Sequence, residues 1–596
     1  MTPTEIFDIE VYRDYFLVAF RDVDTLAVTT FELYDGHPLD TRALRRHVAT
    51  RRIVSFNGKR FDAPLLALAI TGADCAALKA GANDIINNNL QPWQFEDRHP
   101  CKIDPEWDHI DLFDVAPGMA SLKIYAGRLH SIKLQDLPIE HDASISPEQR
   151  EILRDYCVNG DTIATLDLWR KLLPQIQLRE QMTEKYGIDL RSKSDAQIAE
   201  AVIKSEVGKL LAKKVERPII PPGTAFKYKA PAFIAFTHPT LRAALEVVTG
   251  EEFVIQKGGT VVMPKPISDL KIRLGGSTYQ MGIGGLHSTE KCVAHLADEN
   301  TLLIDRDVAS YYPSIILGCN LYPKHLGPAF LKVYRTLVQR RLDAKHSGDK
   351  VTADALKITI NGSFGKLGSM WSALYSPDLL IQTTVTGQLA LLMLIEMLEA
   401  AGVPVVSANT DGVVMACPLH LKPAMDAAVG HWEYLTGFDT EDTHYRALYS
   451  RDVNNYIAIK PDGAWKAKGV FAAAALQKNP TSEICSEAVR RFLTSGTPIE
   501  QTIEQCTDVR KFVTVRNVKG GGVDQEGNFL GRALRWYYST ETTGPLRYKV
   551  NGYTVARSEG ARPLMTLPDT LPADLDRGWY IREAFGILTD VGFAIC

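Results

Sequence analysis

The sequence predicts a multidomain chain of mixed α/β and α+β type, and three observations predict it. Its 596 residues exceed what a single hydrophobic core serves; at about 100–200 residues per domain they make roughly three to five folding units. Period-two and period-3.6 apolar patterns are interleaved along the chain. A composition of 45% hydrophobic and 23% charged residues is that of packed globular protein and excludes wholesale disorder or a collagen-like chain.

The elements follow in order. Ile6-Phe7-Asp8-Ile9-Glu10-Val11 and Tyr15 to Phe20 read as strands, as does Arg52 to Phe56, and Pro64 to Ile70 reads as a helix. Mixed α/β patterning runs to about residue 180, and helical periodicity dominates from about 180 to 215. Pro218, Pro221, Pro222 and Pro231 then mark an irregular connection. Residues 302–308 read as a buried strand ending in acid. Residues 328–346 and 350–361 read as two helices parted by Ser347-Gly348-Asp349, a helical hairpin. A strong helix over 387–401 is stopped by Gly402 and Pro404. Val405 to Ala408 and Val413 to Met415, joined through Asn409-Thr410-Asp411-Gly412, read as a β-hairpin. The last hundred residues are rich in glycine, aromatics and short strands, with helix returning near 578–588.

No run of about 18 apolar residues suits a membrane span, and the acidic N-terminus does not suit a secretory signal. The nine cysteines form no C-x-x-C pair, so scattered thiols in a cytoplasmic protein are expected. A net charge of −4 disfavours a nucleic-acid binder when taken whole. It hides two characters. Residues 1–170 carry 18 basic and 27 acidic side chains, a net of −9, and the remainder carries 49 and 44, a net of +5. From Lys332 to Lys366 eight basic residues face three acidic ones, and from Arg451 to Val550 the count is 15 against 10.

In the acidic part, Asp8 and Glu10 stand i, i+2 on a strand and share a face. Alone they would suit an exposed edge strand. Asn57-Gly-Lys-Arg-Phe61-Asp62 follows a second strand, and Tyr156-Cys-Val-Asn-Gly-Asp161 lies in a helical context beside Asp155. Four carboxylates from separate elements are the donor set that metal-assisted phosphodiester hydrolysis uses. In this order the segments resemble the three motifs of the DnaQ-like 3′–5′ exonuclease domain of family B DNA polymerases. The third departs, with four residues between Tyr156 and Asp161 where the family has three. Asp161 on a distorted helix is the expected fourth ligand; a repositioned Asp155 or Tyr156 is the alternative. Ser121-Leu122-Lys123 and Lys133-Leu134 resemble the domain's primer-contacting and lysine-bearing motifs, and a solvated lysine reads equally well.

In the basic part, Asp307-Val-Ala-Ser310-Tyr311-Tyr312-Pro313-Ser314 follows the buried strand and Asp411 sits in the hairpin turn. Between them, Arg341 and Lys345 share one helix face and Lys357 and Asn361 another. Converging cations of this kind grip a triphosphate; a solvated cationic surface is the plainer reading. These segments resemble motifs A, B and C of the same family. The resemblance implies Asp307 and Asp411 as metal-holding catalytic residues and Tyr312 as a steric gate against a ribose 2′-OH. It further implies Arg341, Lys345, Lys357, Asn361 and Phe364 as nucleotide-binding. Gly362 and Phe364 replace the family's Ser and Tyr in motif B, and Asn409 replaces the first Asp of motif C. Gly284 and Gly285 resemble the family's Gly-Gly loop, Tyr456 its K-x-Y tyrosine, and Lys466 and Lys468 its K-x-K-G strand, all implying DNA contact. Asp576 to Ile581 resembles its C-terminal D-x-x-Y-Y-I segment.

The resemblance thus implies an RNase H-like exonuclease domain (1–180), a connector with the first part of the palm (181–325), fingers (326–365), palm (366–470) and thumb with C-terminal segment (471–596). It implies a DNA-directed DNA polymerase with 3′–5′ proofreading, using two Mg²⁺ or Mn²⁺ ions at each active site. Asp8, Glu10, Asp62 and Asp161 would hold the metals of one site, and Asp307 and Asp411 those of the other. Expected partners are primer-template DNA, dNTPs and a primase, helicase or processivity factor, with no membrane and a monomeric state. The first nuclease motif begins at residue 8, and the gaps between Asp307, Lys357 and Asp411 are short. Both point to a compact, bacteriophage-like enzyme in a host cytoplasm that extends a nucleic-acid primer. The rival reading is a 3′–5′ exonuclease whose polymerase-like half only binds DNA, with Asn409 as a sign of decay.

Overall fold

The computed structural model describes residues 2–137, 139–541 and 544–593; Cys596 lies outside the described residues. The chain forms two compact units. The first gathers Met1–Ser194, Ala474–Ile484 and Ile503–Tyr580, and the second Asp195–Ala473, Cys485–Thr502 and Ile581–Cys596. Both mix helices and sheets.

In the first unit a five-stranded sheet runs in the order Val28–Tyr34, Tyr15–Asp22, Thr4–Val11, Arg52–Ser55, Asp108–Asp111. The first three strands pair antiparallel, and the last two continue parallel to Thr4–Val11. Strand alternation separates the two faces. Phe7 and Ile9 pack with Leu65, Leu66 and Leu68 of helix Asp62–Ile70. Ile6 packs on the other face with Leu166, Leu168 and Trp169 of helix Thr162–Tyr186. Asp8 and Glu10 therefore project toward the helices that carry Tyr156 and Asp161.

A four-stranded antiparallel sheet completes this unit, in the order Arg547–Tyr548, Thr514–Val523, Phe529–Tyr538, Ala561–Pro563. Arg535, with no exposed surface, holds it to the N-terminal part. Its guanidinium donates to the carbonyls of Ser131, Ile132, Leu564 and Met565 at 2.7–3.2 Å. Burial pushes its pKa down to about 10. Tyr580 of the D-x-x-Y-Y-I segment is a core residue, donating to the Phe512 carbonyl at 2.7 Å and accepting from the Tyr538 amide at 2.9 Å.

In the second unit a seven-stranded antiparallel sheet runs Thr440–Tyr445, Thr301–Val308, Gly412–Pro418, Val405–Asn409, Leu286–Ser288, Ser277–Met281, Ile272–Leu274. Helix Pro377–Ala400 packs with it and is longer and more apolar than anything the sequence periodicity marks. By length and composition it could cross a membrane, yet 83% of its most apolar window is buried in this core. A second sheet, Lys291–Leu296, Ala447–Asp452, Asn455–Ile459, Trp465–Ala467, adjoins through Leu303, Tyr445, Leu448 and Ala458.

The helical hairpin is Pro328–Ser347 and Lys350–Leu367, turned by Gly348 at φ 76°. Its second helix runs six residues past the sequence expectation and so contains Asn361 to Gly365. The reason is tertiary. Helix Asp195–Leu211 crosses it so closely that a Cβ on Gly362 would lie 2.6 Å from the Asp195 carbonyl oxygen. Hence a glycine is required at position 362.

Candidate active sites

The acidic site of the first unit is built on the central strand. One carboxylate oxygen each from Asp8, Glu10 and Asp161 can be chosen so that all lie within 4.8 Å of one another. Asp161 reaches this position because Cys157–Asp161 form a π-helical turn between helices Pro147–Tyr156 and Thr162–Tyr186. A π turn absorbs one extra residue in a continuing helix. That is the departure between Tyr156 and Asp161. Arg21, on the neighbouring strand, stabilises the turn, donating to the Val158 carbonyl at 2.8 Å and to Thr162 Oγ1 at 3.1 Å. Asp155, the alternative, points away and pairs with Lys133 Nζ at 2.9 Å near the surface.

Burial first, then the neighbouring acids, raise these carboxyls. Asp8 is pushed up to about 8 by burial and by the charge of Asp161. Glu10 lies well above its usual range through burial, Asp8 and Asp161. Asp161 is raised by burial, with Lys123 opposing. Asp62 is raised by burial, then by the charges of Asp8 and Asp111. Cys157 Sγ lies 3.5 Å from Asp8 Oδ2. Lys123 Nζ stands 2.6 Å from Asp161 Oδ1 and 4.3 Å above the Tyr156 ring, with both charged side chains 14% exposed. An oxygen-only cluster whose members repel one another fits a hard divalent cation such as Mg²⁺ or Mn²⁺.

The site of the second unit sits at one end of the seven-stranded sheet. Asp307 pairs in register with Gly412, and the Val308 amide donates to the Asp411 carbonyl at 2.7 Å, so Asp307 and Asp411 are neighbours across the hairpin. Gly412 is required by this closeness, since a Cβ there would lie 2.3 Å from Asp307 Oδ1. Both acids line a cavity of about 110 Å³ together with Asp305, Asn409, Tyr456, Lys466 and Lys468. Asp411 is exposed at the tip; the surrounding protein and then Asp307 raise its carboxyl, with Lys468 and Lys466 opposing. Two adjacent carboxylates again fit a hard divalent cation.

Asp305 is a residue that the sequence reading missed. It is 7% exposed, accepts from Tyr445 OH at 2.7 Å and lies 3.8 Å from Lys466 Nζ. Burial and the charge of Asp307 raise its carboxyl. The i, i+2 pattern that singles out Asp8 and Glu10 holds equally for Asp305 and Asp307 and is the signal that finds it.

Asn409 faces the loop after strand Ala447–Asp452. Its amide donates to the Val453 carbonyl at 3.1 Å and to Asn454 Oδ1 at 3.3 Å, and its own carbonyl oxygen accepts from Thr410 Oγ1 at 3.0 Å. A carboxylate here would meet the Val453 oxygen with no proton to offer. The Gly-Gly loop packs on the same turn: the Thr410 amide donates to the Leu286 carbonyl, and a Cβ on Gly285 would lie 2.9 Å from Thr410 Oγ1. Gln388 clamps the loop through both backbone groups of Gly282 at 2.9–3.0 Å, and Tyr312 OH donates to the Gly284 carbonyl at 2.9 Å.

Tyr312 also stacks on Phe364 at 4.3 Å, joining the segment after Asp307 to the second helix of the hairpin. On that hairpin Arg341 lies seven residues before Gly348 and Lys357 eight after Asp349, so the two stand level across it. Lys345 is one turn nearer the tip. Arg341 Nη1 lies 3.4 Å from Ser310 Oγ. Lys357 and Asn361 are exposed on one face. Lys468 lies 5.8 Å over the Tyr456 ring, which itself lines the Asp307 cavity.

No protein-family model matches this sequence. No curated protein matches it either. Among solved structures, the family B DNA polymerase from the hyperthermophilic archaeon Pyrobaculum calidifontis aligns over 100% of this chain and 78% of its own, with 14% identity and a TM-score of 0.43.

Proposed function

We propose that the chain is a template-directed DNA polymerase that extends a nucleic-acid primer with dNTPs and carries a 3′–5′ proofreading exonuclease. One observation carries the reading: Asp307 is in register with Gly412, the residue after Asp411, and both acids line one cavity with Lys466 and Lys468. They occur in the order and chemical identity of the family B motifs. The triad of Asp8, Glu10 and Asp161 supports the nuclease half.

In this reading Asp307 and Asp411 hold Mg²⁺ or Mn²⁺ in the polymerase site, and Asp8, Glu10, Asp62 and Asp161 hold it in the nuclease site. The metal, when bound, supplies Lewis-acid activation of the attacking oxygen and stabilises charge on the leaving one. The chain's own residues do the rest. Arg341, Lys345 and Lys357 neutralise charge that grows on the leaving pyrophosphate. The Tyr312 ring, held by Gly284 and Phe364, fills the space that a ribose 2′-OH would need. Lys466, Lys468 and Tyr456 hold the primer terminus by backbone charge and contact, independent of sequence. The latch on Asn409 gives its amide a structural use, which supports this reading over decay. Phage replication, a cytoplasmic setting, a monomeric state and a primase, helicase or processivity partner belong to the same proposal.

Primer extension tests it. Asp307→Ala abolishes dNTP incorporation and spares 3′ trimming, while Asp8→Ala with Glu10→Ala does the reverse. Trimming without any incorporation by the wild-type chain would establish the exonuclease-only rival.

A further inference from the structure

We infer that Asp111 is a positioning residue of the nuclease site, its carboxylate fixing the loop that delivers Asp62. The inference rests on the nuclease reading above. The place of Asp62 follows neither from a strand nor from the π turn. It opens helix Asp62–Ile70, whose N-cap residue Phe61 gives no side-chain cap. The helix start is set from the preceding loop instead, where the Gly58 carbonyl accepts from the Ala63 amide at 2.8 Å. The Asp62 carboxylate lies against that loop, since a Cβ on Gly58 would stand 3.2 Å from Asp62 Oδ2.

Asp111 grips the loop on both sides of Gly58. It ends strand Asp108–Asp111, in register with Ser55, from which the loop departs. Asp111 Oδ1 accepts from the Asn57 amide at 2.8 Å and the Phe113 amide at 3.0 Å, and Oδ2 accepts from the Lys59 amide at 2.9 Å. The anchor is itself fixed: Asp111 is 6% exposed, and its own amide donates to Ser192 Oγ at 2.9 Å. Between the two grips the backbone turns tightly. Asn57 holds φ 66°, a left-handed conformation that few side chains accept, and a Cβ on Gly58 would meet Ser55 Oγ at 2.1 Å. Three N–H donors converging on one side chain need acceptors on both of its oxygens. An asparagine offers one oxygen and turns an N–H toward a donor. Asp111 thus acts on Asp62 through the backbone of residues 57–59, and a carboxylate is the group that can do it.

Two measurements on the full-length chain test this. Hydrogen exchange, resolved to single amides, requires neither metal nor activity. The Asn57 and Lys59 amides are expected to be protected in the wild-type chain and to lose protection in Asp111→Asn. The second measurement is the Mn²⁺ concentration for half-maximal 3′ trimming of single-stranded DNA. It is expected to rise about 10- to 100-fold in Asp111→Asn, the usual effect of removing a residue that orients a metal ligand. Ser192→Ala, which frees only the Asp111 amide, shifts it the same way by less. Leu44→Ala opens a cavity in the core of the same unit and controls for lost stability alone, with the Mn²⁺ requirement unchanged. Unprotected amides in the wild-type chain overturn the inference even where no variant folds. An unchanged Mn²⁺ requirement in folded Asp111→Asn, or an equal rise in Leu44→Ala, overturns it too. A wild-type chain that does not trim, with both amides protected, overturns the nuclease reading itself.

Discussion

Gly362→Ser adds a side chain where two helices cross and is expected to damage this protein. The Cβ would stand 2.6 Å from the Asp195 carbonyl oxygen, 3.0 Å from the Asp195 carbonyl carbon and 3.1 Å from Ala196 Cα. All three are backbone atoms, so no side-chain rotation relieves the contact. The first falls about 0.8 Å short of ordinary van der Waals separation. Helices Asp195–Leu211 and Lys350–Leu367 must part, and they share the core of Ile203, Val207, Leu356 and Ile360. Overpacking of this kind costs about 1–3 kcal/mol. The better helix propensity of serine returns roughly 0.5 kcal/mol. A net loss of about 0.5–2.5 kcal/mol follows, or several degrees in the calorimetric transition of the second unit. Because the displaced helix carries Lys357, Asn361 and Phe364, the KM for dNTP rises while 3′ trimming is unaffected. A serine variant as stable as wild type, with unchanged KM, would refute the reasoning.

Other outcomes follow from the same geometry. Arg535→Met takes a donor from four carbonyls, of which those of Ile132 and Met565 keep a backbone donor, and is expected to destabilise the first unit by about 2–4 kcal/mol, read by thermal loss of trimming; Arg535→Lys recovers little, because an ammonium cannot span four acceptors. Burial, and then Lys59 and Arg191, push His109 down to about 3, so the folded chain holds it neutral where the unfolded chain binds a proton. Its destabilising effect is therefore absent above about pH 6.5 and grows as pH falls toward 3, reaching about 2 kcal/mol near pH 5; His109→Gln flattens this limb in urea unfolding at several pH values. Asn409→Asp replaces a donor to the Val453 carbonyl with a charge and, in the proposed polymerase reading, is expected to lower primer extension about tenfold.

Much of the candidate chemistry was legible locally. Alternation placed Asp8 and Glu10 on one strand face, and the structure carries that face toward Asp161. The buried strand ending at Asp307, the hairpin bearing Asp411 and the helical pair were readable from period and turn residues. Asp305 was overlooked because a buried strand masks the meaning of its own acids. The motif departures could not be interpreted in the sequence, since each answers to a distant segment. The extra residue before Asp161 is absorbed by a π turn held by Arg21, Gly362 yields to helix Asp195–Leu211, and Asn409 answers to Val453.

The sequence by itself determined which side chains could do metal and phosphate chemistry and on which local elements they ride. Periodicity is written in adjacent residues, so it survives without knowledge of the fold. Only the tertiary structure decided that Asp161 rather than Asp155 joins Asp8 and Glu10, that Lys123 shares that site, and that Ala474–Ile484, through Arg128, and Ile503–Tyr580, through Arg535, pack with the N-terminal residues. Those facts depend on the approach of backbones from 38 to 404 residues apart. Close approach is set by the shape of both partners, which neither segment records alone.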